Sequence, residues 1–277
     1  MHAVRGSTWI VARGRFEVER ALGDGGMGRV FVAFDRKLDR RVALKLPRGC
    51  GERSTWSARA HLMREAQALA RVRHSHVVEL LDTLVEDGRV ILVLQLIEGA
   101  SLRGRTLEWR RAAGVFAQIA DGLSAVHAAG LVHRDVSPAN IIVGADDRAT
   151  LIDFGLARTA GRAEADAELL AVSLSPADEV GGTVAFMAPE QRAGAAPDPS
   201  ADRYSLCASL FACIFGVVPT RDNFRAALRD VHAEVCPREM GHILGVGLCE
   251  DPRRRFAETG ELSRALRSVA AVANLET

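Results

Sequence analysis

Between Phe16 and Leu46 the apolar positions fall in short bursts: FEVERAL, RVFVAFD and RVALKL are β-branched or aromatic segments broken by GDGGMG and a turn. A period near two with glycine punctuation predicts three strands of an antiparallel meander. From Ser57 to Arg73 the period lengthens, and Leu62, Glu65, Leu69 and Val72 recur along one face of a helix. Val77 to Leu81 and Arg89 to Ile97 return to strand-like runs around the turn Glu86-Asp87-Gly88. Beyond these, Val115, Ile119, Leu123 and Val126 predict a helix over 109–129, stopped by Gly130. Ala201 to Gly216 predicts a buried helix begun by Asp202, and two further helices are expected over 243–248 and 261–272. The pattern is α+β: a small five-stranded antiparallel region with one helix, then a larger, mainly helical region.

Composition narrows the field without changing that picture. At 277 residues and 48% apolar the chain can bury a substantial core as one large domain or two lobes. Its net charge of +1, from 36 basic and 35 acidic residues, supplies no global field for nucleic acid or an anionic membrane. The five cysteines, Cys50, Cys207, Cys213, Cys236 and Cys249, show neither zinc-ligand spacing nor a disulfide framework, which suits a reducing, cytoplasmic setting. No signal peptide is read in MHAVRGSTWIVARGR. The longest apolar run, Leu206 to Val218, contains Gly216 and is well short of the ~20 residues a bilayer needs. No repeat, linker, low-complexity tract or sensor domain is expected.

Two residues contradict the apolar pattern around them. Lys45 sits in a strand between Leu44 and Leu46, and Glu65 lies on the inward stripe of its helix. Each is costly to bury alone, and an ion pair between them accounts for both. Gly23, Gly25 and Gly28 form a G-x-G-x-x-G completed by Val30. A dinucleotide site would need a helix to open at those glycines; here a strand follows, so the glycines join two strands. They form a flexible hairpin or a backbone that can lie close over phosphates. The stretch from His133 to Gly155, HRDVSPANIIVGADDRATLIDFG, carries Asp135, Asn140 and Asp153. These are hard oxygen donors suited to magnesium and phosphates, with a carboxylate able to accept a hydroxyl proton.

These motifs, with GTVAFMAPE from Gly181 to Glu190 and Arg255 in DPRRRF, resemble the eukaryotic-type serine/threonine protein kinases over roughly residues 14–270, and LGDGGMGRV looks most like the bacterial members. The resemblance implies the bilobal kinase fold, with an N-terminal extension over 1–14, an N-lobe over 15–97, a C-lobe over 98–277 and an activation segment over 153–190. It implies transfer of the γ-phosphoryl of ATP to protein Ser/Thr hydroxyls, with Mg2+, or alternatively Mn2+, as the metal. In that layout Asp135 is the catalytic base, Asn140 and Asp153 hold the metal, and Lys45, set by Glu65, holds the α and β phosphates. Leu22, Gly23, Gly25, Gly28, Val30, Ala43, Leu94 and Ile142 would surround the nucleotide, with the backbone of Gln95 and Ile97 on the adenine and Glu98-Gly99 as hinge. Asp202 would cap its helix and brace the catalytic loop, and Arg255 would pair with Glu190.

Ser137 departs from the family, which usually has a lysine there for the γ-phosphate. That change leaves an ATP-binding scaffold of low activity as the alternative to an active kinase. A small-molecule phosphotransferase is disfavoured by the GT…APE segment, and tyrosine specificity by Pro138 and Gly182-Thr183. Arg134 would either brace the loop or pair with a phosphate on Thr159, Ser173 or Ser175. The protein substrate and the oligomeric state stay open.

Overall fold

The computed structural model describes residues 9–25, 28–46, 63–86, 89–154, 157–159, 183–220, 223–224 and 236–272. Of the residues named above, Cys50, Ser57, Leu62, Asp87, Gly88, Gly155, Ser173, Ser175, Gly181 and Gly182 lie outside them. The chain divides into two compact units, 1–71 with 78–96, and 72–77 with 97–277. Residues 72–77 join the second unit because Val77 bridges Leu151 in parallel and the Leu151 amide donates to His76 O at 2.9 Å.

The first unit holds an antiparallel sheet of six strands, not five: β1 (Trp9–Val11), β2 (Phe16–Gly25), β3 (Gly28–Asp35), β4 (Arg40–Leu46), β5 (Leu80–Glu86) and β6 (Arg89–Gln95), in the order β1-β2-β3-β4-β6-β5. The extra strand pairs Trp9 with Val18 and Val11 with Phe16. β5 starts at Leu80, so the run expected from Val77 is a strand only at its end. Residues 63–69 form helix α1. Strand pleating puts successive side chains on opposite faces. Phe31, Ala33, Val42, Leu44, Leu46, Ile91 and Val93 fill a core on one face. The alternate residues, Val30, Val32, Ala43, Lys45, Leu92 and Leu94, share the other through the pairs Val30↔Lys45, Val32↔Ala43, Ala43↔Leu94 and Lys45↔Leu92.

The second unit contains β7 (Ala100–Ser101), α2 (Trp109–Ala128), β8 (Leu131–Val132), β9 (Ile141–Val143), β10 (Ala149–Leu151), β11 (Arg158–Thr159), α3 (Pro189–Arg192), α4 (Pro199–Phe215), α5 (Arg238–Gly247) and α6 (Thr259–Val272). Glu108 caps α2 by accepting from the amides of Arg110 and Arg111 at 3.0 and 3.2 Å. The face of α2 carrying Val115, Phe116, Ile119 and Leu123 is fully buried against Leu206, Leu210 and Phe211 of α4 and Leu262 and Leu266 of α6. Each such aliphatic or aromatic side chain contributes about 1.5–3 kcal/mol on burial. α4 is buried around most of its circumference, as expected of a helix running through a core. Its start differs from the sequence reading. Asp198, not Asp202, is the N-cap and accepts from the Ser200 amide at 2.8 Å, which releases the Asp202 carboxylate for another role. β9 and β10 form a hairpin, and β7 adds to its edge.

Candidate active site

In the first unit the site follows from strand register. Lys45 shares its sheet face with Val30, Ala43 and Leu94, so the candidate phosphate-binding cation and three of the residues expected around an adenine project to one side. Ala43 and Leu94 are buried and Val30 half-buried, whereas Leu22 lies at a register shift in β2 and is exposed. Lys45 and Glu65 are 4% and 3% exposed, and the ammonium donates to both carboxylate oxygens at 2.8 and 2.9 Å. The glycine hairpin closes through Gly23↔Val30 and Gly25↔Gly28, and a Cβ on Gly23 would meet nothing within 4 Å. The Gln95 amide is committed to Glu79 O at 2.9 Å.

Removing one member of a buried ion pair leaves an uncompensated charge and costs about 3–5 kcal/mol. Lys45→Met is therefore expected to destabilise the protein by that order in urea unfolding. The double variant Lys45→Met/Glu65→Leu should recover most of the loss without recovering phosphoryl transfer. Equal stability of wild type and Lys45→Met would contradict the pairing.

In the second unit the loop between β8 and β9 is built around one buried carboxylate. Asp202, 0% exposed, accepts from the amides of His133 and Arg134 at 2.8 and 2.7 Å and lies 2.8 Å from His127 Nε2, while His127 Nδ1 lies 2.9 Å from Thr259 Oγ1. Burial by itself would raise the Asp202 carboxyl, but the His127 contact and the amides outweigh it and hold it below the usual carboxylate range. Arg134 takes φ 68, a left-handed conformation costly for a residue with a Cβ, and two anchors hold it. One is Asp202 on its amide; the other is Gln191 Nε2 on its carbonyl at 2.7 Å.

The turn then presents Asp135 and Asn140. Asp135 N donates to His133 Nδ1 at 3.2 Å, and Asn140 Nδ2 donates to both Asp135 O and Asp135 Oδ2 at 2.9 Å. The Asn140 amide to Ser137 O closes the 3-10 turn at 3.0 Å. Ser137 itself is fully buried, and its hydroxyl has no hydrogen-bond partner among the described residues. Asp153 is carried to the same place by the hairpin: Leu151 pairs with Ile141, the Ile152 amide donates to Asn140 O at 2.9 Å, and Asp153 follows at φ 65. Asn140 uses its amide nitrogen on Asp135, so its oxygen is the atom suited to a cation. With the Asp153 carboxylate this is a small all-oxygen donor set, the chemistry magnesium takes when phosphates complete its shell. Ile142 is half-buried in β9, two positions after Asn140; Ile97 is half-buried and in no regular element.

His133 is wholly buried, which pushes its imidazole below the ordinary histidine value and keeps it neutral, although Asp202 and Asp153 pull the other way. Its Nδ1 accepts from Asp135, so the proton sits on Nε2, and the ring meets Phe154 edge-on at 4.5 Å between centroids. A histidine whose folded value is depressed binds fewer protons when native, so its stabilising contribution is complete above ~6.5 and is lost as the pH falls below that. Asp202, also depressed, adds a second loss as the pH falls below ~4. Thermal unfolding is expected to shift down between pH 7 and 5. His74, lowered by burial and then by His76, acts in the same sense. The share of His133 is thus the difference between wild type and His133→Phe, and identical pH slopes would refute it.

Near α3, Arg255 donates to Glu190 Oε1 and Oε2 at 2.5 and 2.8 Å, to Ser200 O at 3.0 Å and to Cys249 O at 2.8 Å, with its guanidinium 4.9 Å over the Tyr204 ring. The Glu190–Arg255 pair expected from the sequence is present. His127, Gln191 and Ser101, whose hydroxyl donates to Pro138 O and Ala139 O, were not legible as parts of the loop's support. For His127 the only hint was a polar residue one position past Val126 on a buried helix face.

A glycine hairpin, a buried lysine–glutamate pair, a braced loop with Asp135 and Asn140, and Asp153 in a left-handed turn together define a protein kinase domain. The chain belongs to this family: the protein kinase domain model matches residues 16–262. It is similar to three serine/threonine-protein kinases of Mycobacterium tuberculosis. It is 32% identical to PknJ over 271 residues, covering 90% of this chain and 44% of that protein. It is 33% identical to PknD, covering 91% and 39%, and 32% identical to PknE, covering 94% and 47%. The chain thus spans less than half the length of these curated relatives.

Proposed function

We propose that this chain transfers the γ-phosphoryl group of ATP to serine and threonine hydroxyls of protein substrates. The observation that carries the reading is the arrangement in the second unit, where Asp135 is hydrogen-bonded to Asn140 and Asn140 is tied through Ile152 to Asp153. A magnesium ion held by Asn140 and Asp153 would neutralise charge on the nucleotide phosphates. The Asp135 carboxylate orients the acceptor hydroxyl and takes its proton. Lys45, fixed by Glu65, holds the α and β phosphates, and the face bearing Val30, Ala43 and Leu94 takes the adenine, with Leu22 as a further apolar contact. The glycines Gly23, Gly25 and Gly28 let backbone approach the phosphates. Ile97 N and Gln95 O are the backbone groups assigned to the adenine edge.

Ser137 offers no cation for the γ-phosphate, so that charge is left to the metal. Three cysteines of the second unit fit a reducing cytoplasm, because they act as buried apolar groups: burial pushes the thiols of Cys207 and Cys213 up to about 12 and that of Cys236 to about 11. No helix among the described residues is long and apolar enough to cross a membrane.

The test is incubation with γ-labelled ATP, Mg2+ and a generic protein substrate, followed by phosphoamino-acid analysis. Label on serine or threonine, absent from Asp153→Ala, is expected. Nucleotide binding without transfer would overturn the reading.

A further inference from the structure

We infer that the segment from Ser101 to Leu107 is a substrate-docking element, and that Arg103 and Arg105 select protein segments carrying carboxylates within a few residues of the acceptor hydroxyl. The inference rests on the phosphotransfer reading and names the substrate class for that site. Its basis is a register. β7 runs antiparallel to β9 through Ala100↔Val143 and Ser101↔Ile142, and the Leu102 amide continues the ladder to Ile141 O at 3.0 Å. Arg103 follows in the turn, its amide bonded to the Ser101 hydroxyl at 3.2 Å, one residue past the bond to Ile141 and hence past the neighbour of Asn140.

The segment is held at both ends. The Ser101 hydroxyl donates to Pro138 O and Ala139 O at 3.1 and 3.0 Å and accepts from the Arg103 amide at 3.2 Å, which pins the segment to the catalytic loop. Leu102 is buried, and the Leu107 amide donates to Cys213 O at 2.7 Å. Between these anchors the Arg105 amide closes a turn onto Leu102 O at 3.0 Å, with Gly104 at φ 65, where a side chain would be strained. The turn leaves Arg103 and Arg105 exposed.

Neither arginine has an ion-pair partner among the described residues, and Glu108, the acidic residue nearest to Arg105 in sequence, is committed elsewhere: its carboxylate caps α2 and meets Arg110 at 3.6 Å. Two exposed cations without an ion-pair partner among the described residues, on a turn pinned to the catalytic loop through Ser101, form a local positive field in a chain whose overall charge is +1. Guanidinium recognises carboxylate through paired N–H donors. Such a field acts by steering and choosing partners.

The experiment compares kcat/KM for peptides in which one serine or threonine is flanked by aspartate and glutamate, by alanine, or by lysine and arginine, at low and at physiological salt. Wild-type protein is expected to favour the acidic set over alanine by roughly 3- to 10-fold, the scale of exposed ion pairs, and to lose the preference as salt rises. Arg103→Glu/Arg105→Glu should invert the order in favour of the basic set. An unchanged order in the variant overturns the inference. So does a raised KM for ATP with the peptide order intact, which would place the arginines on the nucleotide. If wild type transfers phosphate to none of the peptides nor to a generic protein, the kinase reading itself falls and the docking inference with it. Transfer without an acidic preference removes the inference alone.

Discussion

Asp135→Asn is expected to lower the rate of phosphoryl transfer by about 10³-fold while changing the Kd for ATP by less than about threefold. The substitution keeps the size of the side chain and an oxygen that can accept from Asn140 Nδ2, so the loop retains its shape. What disappears is the carboxylate able to take the hydroxyl proton, and positioned acid–base groups contribute about 10²–10⁴ in rate. The Asp135 amide still donates to His133 Nδ1, because the backbone is untouched. Unfolding in urea should therefore move by less than about 1 kcal/mol, the scale of a typical hydrogen bond. Single-turnover transfer above a tenth of the wild-type rate would remove Asp135 from the role of base.

The second large effect is structural before it is chemical. Asp202→Ala deletes the acceptor of two backbone amides and the contact to His127 in a site with no access to solvent. Leaving buried donors unsatisfied costs about 1–3 kcal/mol each, and the set is expected to lose about 3–5 kcal/mol of stability. Because one of the freed amides belongs to Arg134, the left-handed residue immediately before Asp135, the loop loses the anchor that fixes the base. The rate should fall at least tenfold in the fraction that remains folded, with ATP binding retained. Asp202→Asn, which keeps one acceptor oxygen, should lie between wild type and Asp202→Ala in both measurements. If Asp202→Ala unfolds with wild-type midpoint, the carboxylate is not the anchor the geometry makes it.

The site was legible where its residues violated a local pattern. Lys45 broke an apolar strand and Glu65 an apolar helix face, and burial without partners is costly enough that each implied the other. Period-two alternation puts Lys45 and Ala43 on one face of their strand; that Leu94 shares it was decided by the pairing of β4 with β6. Residues whose role depends on a distant partner, with no local violation to mark them, stayed hidden. Of the two roles expected of Asp202, the brace on the loop is present and the cap is not: Asp198, four positions earlier and followed by Pro199, held that post. Trp9 to Val11 was too short to announce a strand, and became one only by pairing with β2. Ser101 looked like a loop hydroxyl until the pairing of β7 with β9 set it on the carbonyls of Pro138 and Ala139.

The sequence by itself determined the family, through its motifs, most of the strands and helices, through their periodicity, and the Lys45–Glu65 pair, through the cost of burying charge. The candidate site residues Asp135, Asn140 and Asp153 were named by the resemblance of their motif. Only the tertiary structure decided how the catalytic loop is held in place: which amides the expected brace Asp202 takes, those of His133 and Arg134, Gln191 on the Arg134 carbonyl, and the β9–β10 hairpin that sets Asp153 beside Asn140. These bonds join positions as far apart as 69 residues, and a donor's partner across such a distance is fixed by how the helices pack.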